Sequence, residues 1–234
     1  MNRFAVILML SGLTSCVFTA EQFRNDRIKL LGTIDQNGIY ESIVISTDNK
    51  HFAYAVNKGK ENMYVVRDNI ESKRYSELKP DTLVFSPNGI RLSYIAKEWE
   101  ELLVFIDGIP VRPEIGKVKE IIPGTFKFSP DSGRYLFKVK DFFDKYVIIN
   151  DGKSISPGFD EIRSNTMEFS PDSKHFAYIA KEFNKYGIYA DNIKLREFDF
   201  IPYWTKIRWT SGNSFNYMLV DIYQKIYIIT EVVE

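Results

Sequence analysis

Apolar and polar positions alternate along most of this chain in short runs rich in Phe, Tyr, Ile and Val, and the runs return at a fixed interval. Period-two alternation in aromatic and β-branched residues predicts strands, because successive side chains of a strand point to opposite faces. The clearest copy of the repeating unit is FSPDSKHFAYIAKEFNKYGIYADN, from Phe169 to Asn192. Copies align on a turn that begins at Ser46, Ser86, Ser129 and Ser170, with a degenerate version at Ser211, so the copies are 40, 43, 41 and 41 residues apart. That period is the length of a four-stranded propeller blade, roughly 40 to 45 residues.

Each copy resolves into the same elements. A first strand is predicted at 43–45, 83–85, 126–128, 167–169 and 207–209, and a second at 51–56, 91–96, 134–139, 175–180 and 215–220. A third is predicted at 63–66, 102–106, 146–149, 186–189 and 225–229. Ser-Pro-Asp and Ser-Pro-Asn suit a tight turn between the first two strands, since Pro presets φ for the second turn position. The third strand ends at Asp68-Asn69, Asp107-Gly108, Asp151-Gly152 and Asp191-Asn192, pairs that tolerate positive φ in a two-residue hairpin. An outer strand is expected from Ile70, Ile109, Lys153 and Ile193. The large residue just ahead of each first turn, namely Ile45, Phe85, Phe128, Phe169 and Trp209, is expected to pack between neighbouring blades.

The fifth copy runs out before an outer strand. Ile28, Lys29 and Leu30 lie 18 residues before Ser46, as Ile193, Lys194 and Leu195 lie 18 residues before Ser211. The N-terminal segment is therefore expected to supply the missing strand and close the ring, which removes open edges.

The repeats FSPDSKHFAYIAKE, FSPDSGRYLFKVKD and FSPNGIRLSYIAKE resemble the WD40-like propeller repeat of the C-terminal domain of TolB and of many bacterial secreted proteins. The resemblance implies an all-β fold, a single five-bladed β-propeller of four-stranded antiparallel blades. It implies binding rather than catalysis as the usual role, and the chain shows no sign of the additional N-terminal domain of TolB.

Ahead of the repeats, one Arg and the apolar run FAVILMLSGL read as the n- and h-regions of a signal peptide, too short for a spanning helix of about 20 residues. Leu13-Thr14-Ser15-Cys16 resembles a bacterial lipobox, and Cys16 is the single cysteine, so it has no intramolecular disulfide partner. The expected organisation is a signal peptide at 1–15, lipidated Cys16 and tether at 16–27, and the propeller at 28–234. Ordinary secretion with cleavage after Ala20 is the alternative, with a bulky Phe18 at the minus-three position. Either way the location is extracytoplasmic, at the cell envelope, and the first alternative adds a membrane anchor.

Composition narrows the chemistry. Lys plus Arg equal Asp plus Glu at 31 each, and the signs are interspersed, so no overall field draws nucleic acid. His51 and His175 occupy equivalent repeat positions at the starts of strands, where they point to surface residues rather than a shared metal. There is no phosphate loop, HExxH or GxSxG, so no cofactor, metal or catalytic residue is assigned. A glycosidase propeller would need two carboxylates on its inner strands. The equivalent inner positions are Val44, Val84, Lys127, Glu168 and Arg208, which read as a charge ladder with one acid.

The candidate site is the face shared by the loops after the second and fourth strands. It carries Trp99, Phe142, Phe143, Phe183, Tyr203 and Trp204 among Lys, Asp and Glu, the composition of a protein-binding surface. The expectation is a non-catalytic envelope module that binds or scaffolds proteins through this face. A carbohydrate-binding or carbohydrate-cleaving propeller is the alternative function, and inward folding of the aromatics as blade caps is the alternative placement.

Overall fold

A computed structural model describes residues 31–233 except 222, together with the short antiparallel pair Val6–Ile7 and Cys16–Val17. The rest of the expected signal peptide and tether, the side chain of Cys16 and the expected closing strand at 28–30 lie outside the described residues. Among those described, no helix is long and apolar enough to cross a membrane.

The repeats form five antiparallel meanders. The first blade is Gly38–Ile45, Phe52–Asn57, Met63–Arg67 and Ile70–Glu71, and the second is Leu78–Phe85, Leu92–Glu98, Glu101–Ile106 and Ile109–Val111. In the third, Glu120–Ile121 and Lys127–Phe128 both pair with Tyr135–Lys140, followed by Tyr146–Asn150 and Lys153–Ser154. The fourth repeats this with Glu161–Ile162 and Glu168–Phe169 on Phe176–Glu182, then Lys185–Ala190 and Ile193–Phe198. The fifth has three strands, Arg208–Trp209, Ser214–Val220 and Ile226–Val232.

The first strands extend further back than alternation alone predicts, because each is interrupted. In blade one the register jumps between Ile39 and Val44, and in blade two between Lys79 and Val84. Blades three and four break the strand completely at the same place. The apolar signal fades through the bulge, so only its second half is legible in sequence.

The hairpins at Asp68-Asn69 and Asp191-Asn192 have both residues at positive φ, as do Asp107-Gly108 and Asp151-Gly152. These are the two-residue turns the sequence implies. Each turn aspartate also accepts from the second strand: Asp68 from Phe52 N at 3.0 Å, Asp107 from Leu92 N at 2.9 Å, and Asp191 from Phe176 N at 3.1 Å.

Successive blades pack face to face. One cluster joins Ala53, Ala55 and Val65 of blade one to Tyr94 and Phe105 of blade two. Further clusters join blades two and three through Ile95, Val104, Phe137 and Ile149, three and four through Leu136, Ile148, Tyr178 and Tyr189, and four and five through Ile179, Ile188, Phe215 and Tyr217. Phe128 and Phe169 are buried at these seams. An arginine of the preceding blade lies over each seam aromatic: Arg67 over Phe85 at 5.5 Å, Arg91 over Phe128 at 5.2 Å and Arg134 over Phe169 at 5.5 Å. Trp209 of blade five instead donates its indole N–H to the Glu168 carbonyl at 3.2 Å.

Ile45 departs from the expectation: it is 54% exposed, because blade one has no described blade before it to supply the cover. A cluster of Phe52, Tyr54, Val56, Tyr64 and Val66 lies on the free face of blade one and is covered by Leu31 and Ile43. At the other end, Met218, Ile226, Ile228 and Val232 of blade five are exposed. Directly paired residues share a sheet face, so Met218 with Ile228 and Val220 with Ile226 make an apolar ladder on the free side of this blade. No described cluster joins blades one and five.

Candidate binding face

Antiparallel meanders place the loops after the second and fourth strands on one side and the Ser-Pro-Asp turns with the Asp-Gly hairpins on the other. All six aromatics singled out from the sequence fall on the loop side, and all are exposed, from 51% for Trp204 to 86% for Phe183. They do not fold inward as caps.

Local backbone chemistry holds them out. Glu98 pairs with Glu101, which leaves Trp99 and Glu100 as a two-residue loop with Trp99 at φ 57°. Glu182 pairs with Lys185, and the intervening Phe183 and Asn184 sit at φ 47° and 66°. Positive φ costs a bulky residue more than Gly or Asn, so an aromatic at such a tip is there against local preference.

Phe142 and Phe143 ride a longer loop organised by Asp141, whose Oδ1 accepts from Phe143 N at 2.8 Å and Lys145 N at 2.9 Å. Blade five has the same device: Asp221 Oδ1 accepts from Tyr223 N and Lys225 N, each at 2.9 Å, and Tyr223 is exposed. Sequence reasoning missed Tyr223. The pattern Asp, any residue, aromatic, any residue, Lys at 141–145 and 221–225 was the available signal. Phe200, also exposed and on the loop between blades four and five, was missed as well.

Tyr203 and Trp204 lie in a turn closed by Thr205 N to Pro202 O at 3.1 Å. Buried Arg163 holds that turn, donating from Nη1 to the Pro202 carbonyl at 2.7 Å and from Nη2 to the Ile201 carbonyl at 2.6 Å. Its guanidinium also stacks 4.5 Å from the Tyr186 ring.

The charged residues between the aromatics are largely paired with one another. Asp144 is bridged by Lys119 at 2.6 Å and Lys140 at 2.9 Å, and these hydrogen bonds hold its carboxyl down to about 2. Glu98 is held below its usual range by Lys73 and also meets Arg112 at 2.7 Å. The unpaired contact groups of the face are therefore its aromatic tips. On the same side a cleft of about 720 Å³ opens between blades two and three, floored by Leu103, Val104, Val111, Ile121 and Phe137, with Phe142 at its lining.

Of the inner-strand charges, Lys127 and Glu168 meet at 2.6 Å across blades three and four, while Arg208 makes no ion pair with Glu168 among the described residues. The ladder is a pair, and one carboxylate is short of the two that ordinary glycoside hydrolysis needs. The histidines stand at the starts of second strands, partly exposed, and each has a partner in its own blade. His51 Nδ1 bonds Asp68 at 2.7 Å and His175 bonds Asp191, so each ties the start of a second strand to a hairpin turn. Arg134 does the same with Asp151 at 3.1 Å in blade three. Among the described residues no group of His, Cys, Asp and Glu is arranged to hold a metal.

No family model matches the chain, and no curated protein does either. Among solved structures, the chain is similar to TolB from Acinetobacter baumannii at 13% identity and a TM-score of 0.43, covering 81% of this chain and 51% of that one. It is similar to a putative TolB from Agrobacterium tumefaciens at 12% identity and a TM-score of 0.39, covering 83% and 77%. A puromycin-hydrolyzing peptidase from Mycobacterium tuberculosis is similar at 10% identity and a TM-score of 0.41, covering 82% and 37%. The chain thus spans about half the length of the first of these and about a third of the last. Likenesses this distant include both TolB and a peptidase, and they carry no argument about activity.

Proposed function

We propose that this protein is a non-catalytic, lipid-anchored module of the bacterial cell envelope that binds other proteins through its aromatic loop face. The supporting observation is the set of exposed aromatics on separate loops of one side, two of them at positive φ, with the intervening charges neutralising one another. Large aromatics gathered on one face of a rigid scaffold are the residue type that anchors a partner's pockets. Cys16 carries the acyl anchor, and residues 28–30 complete blade five as its outer strand. That strand closes the ring and covers the open Ile226–Val232 edge.

The test is in-cell crosslinking read by mass spectrometry, comparing the parent with a Trp99→Ala, Phe143→Ala, Trp204→Ala variant of unchanged unfolding midpoint. Loss of specific crosslinked proteins in the variant supports the reading, and an unchanged set refutes it. Closure is tested separately by Ile28→Asp with Leu30→Asp, which should lower the unfolding midpoint.

A further inference from the structure

The path of the chain into blade one has a direction. At Gly32 a Cβ would lie 2.3 Å from the Phe52 ring and 2.8 Å from Asn69 Oδ1, so the backbone there sits beside the hairpin on the turn face. Three residues on, Asp35 bonds Lys58 Nζ at 2.9 Å, and Asn57 N donates to the Asn37 carbonyl at 3.1 Å. Those groups are at the far end of the second strand, on the loop face. Between them Asp35 N donates to the Tyr54 hydroxyl at 2.9 Å, so the segment climbs the free side of the blade from turn face to loop face. The described chain therefore enters blade one from the turn face.

The turn face has its own unexplained feature. Ile70, Ile109 and Ile193 each follow a hairpin turn, Ile90 lies in the blade-two Ser-Pro turn, and all four are exposed. The polar groups beside them are engaged within the protein. Arg91 Nη1 donates to the carbonyls of Ser132 and Gly133, and Arg134 Nη1 to those of Ser173 and Lys174 in the next blade. The turn carboxylates are bonded to their own turns, as Asp131 Oδ1 is to Ser129 Oγ at 2.6 Å. What the turn face offers outward is a set of branched aliphatic knobs among the exposed lysines Lys50, Lys153 and Lys174, a combination that suits the headgroup region of a bilayer.

We propose that the anchored protein seats its turn face on the lipid surface that holds the anchor and points its aromatic loop face away, toward a protein partner rather than toward lipid. This rests on the anchor reading above. The proposed tether from 17 to 27 has an r.m.s. span of about 18 Å as a flexible chain, comparable with the depth of a blade, so the end at which the chain enters biases which face meets the membrane.

The experiment uses the acylated full-length protein in phosphatidylcholine vesicles containing brominated acyl chains, which quench tryptophan at the bilayer. Trp99 and Trp204 report the loop face, and the third tryptophan, Trp209, which ends its strand beside the turn face, is replaced by Phe in every arm, so that the parent carries loop-face tryptophans alone. The parent should keep its emission, and Ile90→Trp should show a new component that is lost to the quencher. Quenching of the parent's own tryptophans would overturn the proposal in favour of a lipid-facing loop side, and no quenching in Ile90→Trp would overturn it as well. A chain that takes up no acyl group at Cys16 removes the anchor and this orientation together, while the crosslinking test of the loop face stands or falls separately.

Discussion

The hydroxyl of Thr166 accepts a hydrogen bond from Ile179 N at 3.0 Å and donates to the Arg163 carbonyl at 2.7 Å, both within the buried bulge of blade four. Ser42 with Ala55 N at 2.8 Å, Thr82 with Ile95 N at 2.9 Å and Thr125 with Lys138 N at 3.0 Å repeat it in blades one to three. A bulge takes backbone groups out of the ladder, and the hydroxyl supplies the missing partners. Replacing Thr166 with Val keeps the shape and orphans the Ile179 amide. The expected loss is about 1–3 kcal/mol in denaturant unfolding, with Thr166→Ser close to the parent.

Phe169 is buried at the seam under Arg134, whereas Ile45, its counterpart in blade one, is exposed. Phe169→Ala should therefore cost about 3–5 kcal/mol, the range for emptying a buried aromatic site. Ile45→Ala should change stability by less than about 1 kcal/mol. Equal losses in the two variants would mean that blade one is covered at this seam.

Phe183 sits at φ 47° on a hairpin tip with most of its surface in solvent. Phe183→Gly relieves the left-handed strain, so stability should hold or rise by up to about 1 kcal/mol, measured by the thermal midpoint. Crosslinking to partners through the loop face should fall in the same variant. A residue kept for packing would lose stability instead.

Asp48, Asp131 and Asp172 occupy the same turn position, and all three carboxyls are held below their usual range, first by hydrogen bonds from Ser46, Ser129 and Ser170. For Asp48 the folded value falls to about 2. A folded pKa below the unfolded one contributes stability above the unfolded value of 3.8, lost as pH falls toward about 2. The urea midpoint should drop between pH 5 and pH 2.5, and Asp131→Asn should flatten that drop. Asp131→Asn with an unchanged pH slope would show that this turn does not couple to folding.

Much of this was legible in the chain. The constant spacing of Ser46, Ser86, Ser129 and Ser170 and the Asp-Asn and Asp-Gly pairs located the turns, because turn chemistry is local. The loop aromatics were found for the same reason. What escaped was non-local or broken: the first halves of the bulged strands, the Ser42, Thr82, Thr125 and Thr166 hydroxyl latches, and Tyr223, whose loop matches that of Phe143 only once the role of Asp221 is seen. The partners of the histidines escaped too, because each is a turn aspartate 16 or 17 residues away.

Sequence by itself determined the repeat, the strand and turn pattern and the balance of charge, since these depend on period-two alternation and on residues close in the chain. Tertiary packing decided which face each side chain meets. It set Phe169 under Arg134 and left Ile45 bare. It turned Trp99 and Phe183 to solvent instead of over their blades. It brought residues 31–35 up the side of blade one, because burial and chain direction exist only once the sheets are stacked.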